Sequence, residues 1–191
     1  MVDLENIKKT LVSPNALTLS RMLAAPVIVI LLIFPRNQVT FFLAALIFSA
    51  AALTDYFDGY LARKYGQVSG FGKAMDPLAD KMLIATAFIM LTAQDLIPGW
   101  VVCLIVAREL GVTGLRTVLV AEGRDVSASI WGKLKTVFQI AALIFLLLHY
   151  PYLGLDCHRI GSWLLGIAVI LTVGSGIDYF WRARKVIRAN H

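Results

Sequence analysis

Six long apolar runs, each separated from the next by a short polar stretch, set the pattern of this chain. They fall at roughly 17–34, 39–61, 77–92, 98–120, 134–150 and 160–181. Each approaches the about 20 residues that a helix needs to cross the hydrocarbon core of a bilayer. The breaks carry turn residues: Pro35-Arg36-Asn37, a glycine-rich turn from Gly66 to Gly72, then Asp95 to Gly99, Glu122 to Gly132 and Pro151 to His158. The pattern predicts an all-α integral membrane protein, a single domain over 1–191 with six transmembrane helices. The third run fits least well, because Asp80 and Lys81 stand near its start. Within the N-terminal segment 1–16, Leu4, Ile7 and Leu11 with Lys8 and Lys9 predict a short helix lying on the membrane surface. Residues 182–191 read as a polar tail.

Composition sharpens this picture. Of the 191 residues 59% are hydrophobic and 16% charged, and the mean hydropathy is +0.76. Soluble domains are nearer a quarter charged, and so short a chain has too little interior to hide this much apolar surface. Disorder, which needs low hydrophobicity, is excluded as well. The net charge of +6 is scattered between the apolar runs, whereas a nucleic-acid footprint would cluster on one face. Cys103 and Cys157 make no disulfide framework. The opening MVDLENIKKTLVSPN is polar and leads into a run of spanning length, so no cleavable signal peptide is expected.

Twelve of the 18 basic residues fall on one side of the predicted bilayer: Lys8, Lys9, Arg63, Lys64, Lys73, Arg124, Lys133, Lys135, Arg182, Arg184, Lys185 and Arg188. Only Arg36 and Arg159 fall on the other. This bias predicts both termini in the cytoplasm of a cell-membrane protein of bacterial inner-membrane type. Arg21, Lys81, Arg108 and Arg116 remain within or at the ends of the spans, with the acids Asp55, Asp58, Asp76, Asp80, Glu109 and Asp178. Charge inside a bilayer is costly and marks function. Most of these positions map to the cytoplasmic halves of their helices, which predicts a polar cavity open to that side.

The stretch 54–81 reads TDYFDGYLARKYGQVSGFGKAMDPLADK. Asp55 and Asp58 are three apart and Asp76 and Asp80 four apart, spacings that share a helical face. A short turn joins the two helices, so the four carboxylates can meet. Together in an apolar setting they cannot all stay ionised without compensation, and two divalent cations would neutralise them. An all-oxygen donor set without His or Cys favours Mg2+ or Mn2+ over zinc. Such a pair of ions suits phosphoryl displacement. Gly59 and Gly72 leave room beside the acids, and Arg63 offers a guanidinium to a phosphate oxygen. The same residues can instead make interhelical ion pairs or a proton relay in an ion-coupled transporter.

The arrangement Asp55-x2-Asp58-Gly59-x2-Ala62-Arg63-x8-Gly72-x3-Asp76-x3-Asp80 resembles the signature of the CDP-alcohol phosphatidyltransferase family, with all eight positions present. The resemblance implies that Asp55, Asp58, Asp76 and Asp80 bind two divalent cations and that Asp80 is also the general base. Gly59, Ala62, Arg63 and Gly72 would line the site for the cytidine diphosphate group. It further implies CDP-diacylglycerol as donor, an alcohol as acceptor, CMP as leaving group and a homodimer as the assembly.

The acceptor side is read from other residues. The stretches Pro14-Asn15-Ala16-Leu17-Thr18-Leu19-Ser20-Arg21, Arg108-Glu109 through Thr113-Gly114-Leu115-Arg116, and Gly132-Lys133-Leu134-Lys135-Thr136 resemble the branch of that family that uses glycerol 3-phosphate. Arg108, Arg116 and Lys135 offer positive charge to its phosphate. Phosphatidylglycerol, inositol phosphate or serine are the alternative acceptors. Arg116 and Lys135 can equally snorkel to the interface, Arg108 can pair internally with its neighbour, and Glu109 reads as a partner that fixes an arginine. Lys81 reads as a countercharge and Asp178 as a cap or loop-charge partner. His149, His158 and His191 fall away from the acids and are not expected as ligands. Trp100, Trp163 and Trp181 read as interfacial anchors.

Overall fold

The computed structural model describes the backbone of residues 14–65, 70–123, 129–152 and 154–188, and the side chains in those ranges except at 14–18, 55–77, 80 and 185–188. The segment 1–13, with the expected surface helix over Leu4 to Leu11, lies outside the described residues. Six helices follow in order: α1 (Pro14–Ile33), α2 (Gln38–Tyr65), α3 (Gly70–Ala93), α4 (Gly99–Ala121), α5 (Ile130–Leu148) and α6 (Cys157–Arg188). Among the described residues no strand accompanies them. All but α4 overrun their apolar runs, because hydropathy marks the apolar portion of a helix while backbone hydrogen bonding continues to the next cap or breaker. The largest departures are α3, which begins at Gly70 rather than 77, and α6, which continues to Arg188 through the expected tail. In α6 the late cations complement the helix C-terminus, and Arg182 Nη2 pairs with Asp178 Oδ2 at 2.5 Å. Asp178 thus serves a partner within its own helix.

The stretches Ile130–Leu148 and Cys157–Arg184 are long and apolar enough to cross a membrane, and Leu19–Ile33, Gln38–Thr54 and Lys81–Ala93 are shorter apolar stretches. Helix α4 differs by carrying Arg108, Glu109 and Arg116 inside its length.

The chain divides into two compact units, Met1–Gln94 and Asp95–His191. In the first, α1 packs on both α2 and α3, which touch each other sparingly among the described residues. The expected α2–α3 approach at the aspartates lies outside the described side chains. The inward stripe of α1 is Ala24, Ala25, Ile28 and Leu32; α2 contributes Phe41, Ala44, Ala45, Phe48 and Ala51, and α3 contributes Ala79, Leu83, Ala87, Phe88 and Leu91. Alanines let helix axes approach where no hydrophobic force separates interior from surroundings, and the phenylalanines fill the gaps. The outward stripe of α1 is as apolar as the inward one, with Leu19, Leu23, Val27 and Ile30 exposed. A helix apolar all round belongs in a large core or a membrane. Polar side chains tie the far ends of α1 and α3 together: Gln94 Nε2 donates to the Leu32 and Phe34 carbonyls at 2.6 and 3.2 Å, and Arg36 donates to the Gln94 carbonyl. Asn37 Oδ1 accepts from Val39 N–H at 2.9 Å and starts α2.

In the second unit α5 and α6 form a tight pair and α4 packs on α6. Ser129 caps α5 by accepting from Gly132 N–H at 3.2 Å, and Asp156 Oδ1 starts α6 by accepting from Arg159 N–H at 3.0 Å. Gly161 is needed for the α5–α6 approach: a Cβ there would lie 2.8 Å from Leu146 Cγ and 2.9 Å from its backbone nitrogen. Hydroxyls inside the helices bond back to the preceding turn, as in Thr113 to the Glu109 carbonyl at 2.7 Å and Thr117 to the Thr113 carbonyl at 3.0 Å. This satisfies them without water. His149 and His158 stack edge-on at the α5–α6 turn with ring centroids 5.1 Å apart. Trp100, Trp131, Trp163 and Trp181 are all exposed near helix ends.

Candidate functional site

Helix periodicity places Lys135, Gln139, Ala142, Leu143 and Leu146 on the buried face of α5. The facing stripe of α6 is built from Gly161, Leu165, Ala168, Thr172, Ser175 and Gly176. These small residues leave space, and polar side chains from three helices occupy it. Lys135 is 4% exposed. Its ammonium pairs with Glu109 Oε1 of α4, and the same oxygen accepts from Arg108 Nη1 at 3.1 Å. One carboxylate therefore holds two cations. Arg108 Nη2 reaches across to α6 and donates to Ser175 Oγ at 3.0 Å. Ser175 Oγ in turn donates to the Thr172 carbonyl at 3.2 Å. Deeper along α5, Gln139 Nε2 donates to Thr172 Oγ1 at 3.1 Å, and that hydroxyl donates to the Ala168 carbonyl at 2.6 Å.

Gly176 completes the seat of Arg108. A Cβ on Gly176 would stand 3.2 Å from Arg108 Cγ and 3.5 Å from its Nε, so the arginine stem lies over the glycine. Arg108, Lys135 and Glu109 together carry a formal net charge of +1, with both cations aimed at a single anionic oxygen. Buried charges need such partners. Arg and Lys converging on one oxygen form an arrangement that binds carboxylate or phosphate.

Of the three expected acceptor-binding residues, the structure unites Arg108 and Lys135. Arg116 is exposed and, among the described residues, takes no part in the cluster. For Lys135 the snorkelling alternative is corrected: the Ser129 cap starts α5 early enough to place Lys135 on the packed face. Glu109 partners both cations, where sequence reasoning gave it one. That reasoning also missed Gln139, Thr172, Ser175 and Gly176. The signal was a polar residue or glycine in an otherwise apolar run, at spacings of three and four.

On the acidic side, α2 carries Asp55, Asp58, Gly59, Ala62 and Arg63, and α3 carries Gly72, Asp76 and Asp80. Their side chains lie outside the described residues. The backbone is helical through both aspartate pairs, the condition on which the spacing argument rests. The chemistry of this donor set, four carboxylates without a nitrogen or sulfur ligand, fits hard divalent cations.

The family profile described as CDP-alcohol phosphatidyltransferase matches residues 11–174, which span both units. A Bacillus subtilis protein named CDP-diacylglycerol--glycerol-3-phosphate 3-phosphatidyltransferase is 41% identical over 186 residues, covering 90% of this chain and 96% of its own. A Rickettsia typhi protein of the same name is 44% identical over 168 residues, covering 87% and 94%. A Mycobacterium tuberculosis protein named as a probable phosphatidylglycerophosphate synthase is 41% identical over 175 residues, covering 91% and 82%. With a profile match over most of its length and relatives this similar, the chain belongs to the CDP-alcohol phosphatidyltransferase family.

Proposed function

We propose that this protein transfers the phosphatidyl group of CDP-diacylglycerol to the free primary hydroxyl of glycerol 3-phosphate, forming phosphatidylglycerophosphate and releasing CMP. The observation that carries the choice of acceptor is the pair of buried cations, Arg108 and Lys135, on one carboxylate. A neutral or zwitterionic acceptor such as serine has no use for two desolvated cations, whereas a phosphate monoester needs them. Inositol phosphate shares that need; the names of the similar proteins favour glycerol 3-phosphate.

The chemistry assigned to the aspartates follows from their charge. Asp80 accepts the proton of the acceptor hydroxyl as its oxygen bonds to the lipid-side phosphorus and the bond to CMP breaks. Asp55, Asp58, Asp76 and Asp80 would hold two divalent cations, Mg2+ or Mn2+, which would supply charge neutralisation for the diphosphate and for the hydroxyl as it loses its proton. Gly59, Ala62 and Gly72 admit the nucleotide, and Arg63 binds a phosphate oxygen. Arg108 and Lys135 hold the acceptor phosphate and so fix which hydroxyl is presented.

The protein resides in the cell membrane, with six spans, both termini and the aspartates on the cytoplasmic side, and it works as a homodimer. The outward apolar stripe of α1 and the tryptophans support the membrane placement. From Trp163 to Trp181 the helical rise gives about 27 Å, close to the thickness of a hydrocarbon core.

CMP release by purified protein tests this reading, with CDP-diacylglycerol, Mg2+ or Mn2+, and each acceptor offered separately. Release with glycerol 3-phosphate alone, lost in Asp80→Asn, is the expected result. Release with serine or phosphatidylglycerol instead would remove the acceptor assignment. No release with any acceptor would favour an ion-coupled transporter.

A further inference from the structure

The cluster that would bind the acceptor phosphate already contains an anion. Glu109 Oε1 sits on both Arg108 and Lys135, so a phosphate and this carboxylate compete for the same donors. The three groups are not equally fixed. The Lys135 side chain is 5% exposed and that of Arg108 13%, against 23% for Glu109. Arg108 is further anchored by Ser175 Oγ and by its fit over Gly176, and Lys135 stands on the packed face of α5. The carboxylate is therefore the member with the greatest freedom to leave.

Charge decides the direction. A phosphate monoester carries close to two negative charges at neutral pH. Added to the cluster as it stands, it would meet a net +1 and leave an excess negative charge beside a carboxylate. With Glu109 turned away, the dianion meets two cations and the balance is even. Without phosphate the two buried cations still need anionic contact, and Glu109 Oε1 contributes it to both.

We infer that Glu109 is a displaceable counter-ion: it holds Arg108 and Lys135 in place while the acceptor site is empty, and the phosphate of the acceptor alcohol replaces it there. This rests on the acceptor reading given above. Glu109 is a positioning residue in this scheme. Apparent acceptor affinity equals the intrinsic affinity reduced by the fraction of molecules in which the carboxylate has moved aside. The contact also disfavours acceptors too weakly charged to displace it.

Glu109→Gln keeps the size and removes the charge. It is expected to lower the KM for glycerol 3-phosphate, and the inhibition constant of inorganic phosphate against it, by about three- to tenfold. The KM for CDP-diacylglycerol stays at its wild-type value. Inorganic phosphate should also raise the melting temperature of Glu109→Gln more than that of the wild type. Glu109→Asp, with a shorter reach across the two cations, should shift the constants in the same direction by less. A raised KM, or an unchanged phosphate constant, would overturn the inference. So would failure of both variants to fold, since an anion that cannot be removed is structural. Arg108→Ala and Lys135→Ala, measured in parallel, separate the two layers. If neither raises the KM for glycerol 3-phosphate, the acceptor reading itself fails; if both do while Glu109→Gln gives no gain, only the displaceable counter-ion fails.

Discussion

The two compact units solve the same packing problem with different interiors. In Met1–Gln94, the described buried side chains are alanines, leucines, phenylalanines and an isoleucine, and Arg21 is the one buried charge among them. In Asp95–His191 the helices also bury Lys135, Gln139, Thr172 and Ser175. Alanine packing lets helices approach closely, and the four aspartates stand along α2 (Asp55, Asp58) and α3 (Asp76, Asp80). A buried polar network sets the position of each member through its neighbours. The described interior of the second unit therefore fixes polar side chains from three helices against one another, where that of the first is almost wholly apolar.

The strongest test of this division is Asp80→Asn. Removing the proposed general base should lower CMP release by about 10²–10⁴-fold, with the thermal unfolding of the protein little changed. If activity fell less than tenfold, the catalytic assignment to the first unit would be lost. In the second unit the largest effect should come from packing. Gly161→Ala puts a Cβ 2.8 Å from Leu146 Cγ and 2.9 Å from the Leu146 backbone nitrogen. Backbone cannot move as a flexible side chain can, so the cost should be about 1–3 kcal/mol, read as a lowered melting temperature in detergent. An unchanged melting temperature would mean that the α5–α6 pair can separate.

Much of this was legible in the sequence because apolar length and residue spacing are local properties. All six helices overlap their predicted runs, and the eight motif positions are recognised by their residue types and spacing as resembling the family signature. The network was less legible, since it depends on which faces of α4, α5 and α6 meet. Lys135 illustrates the difference. Its neighbours in sequence, Gly132 to Thr136, suggest a membrane surface, whereas the Ser129 cap and the α6 stripe bury it. Gln139, Thr172 and Ser175 have no motif, and only contact between helices reveals what they do.

Gly176→Ala sharpens the comparison at one atom. The added methyl lies 3.2 Å from Arg108 Cγ, a distance the arginine stem can relieve by shifting a few tenths of an ångström. Stability should fall by less than for Gly161→Ala. The KM for glycerol 3-phosphate should rise severalfold, about 1 kcal/mol or less, with the KM for CDP-diacylglycerol constant. Loss of both constants together would show that Gly176 supports the whole unit rather than Arg108. Gln139→Met separates the deep part of the network from its functional part. Thr172 keeps its bond to the Ala168 carbonyl at 2.6 Å, so the loss should be about 1 kcal/mol of stability, with both KM values unchanged.

The smallest effect is expected where the second unit departs from its own rule. Tyr179 is 5% exposed and packs with Leu119 and Ala183, flanked by Val112 and Leu115. Among the described residues its buried hydroxyl has no hydrogen-bond partner, while Ser175 and Thr172 on the same helix are satisfied. An unpaired buried hydroxyl costs its desolvation and returns nothing. Tyr179→Phe should therefore leave the melting free energy within about 0.5 kcal/mol of wild type, on the stabilising side, with turnover unchanged. A loss of 1 kcal/mol or more would mean that the hydroxyl is paired when the protein works, which would extend the polar network one turn further along α6, beyond Ser175.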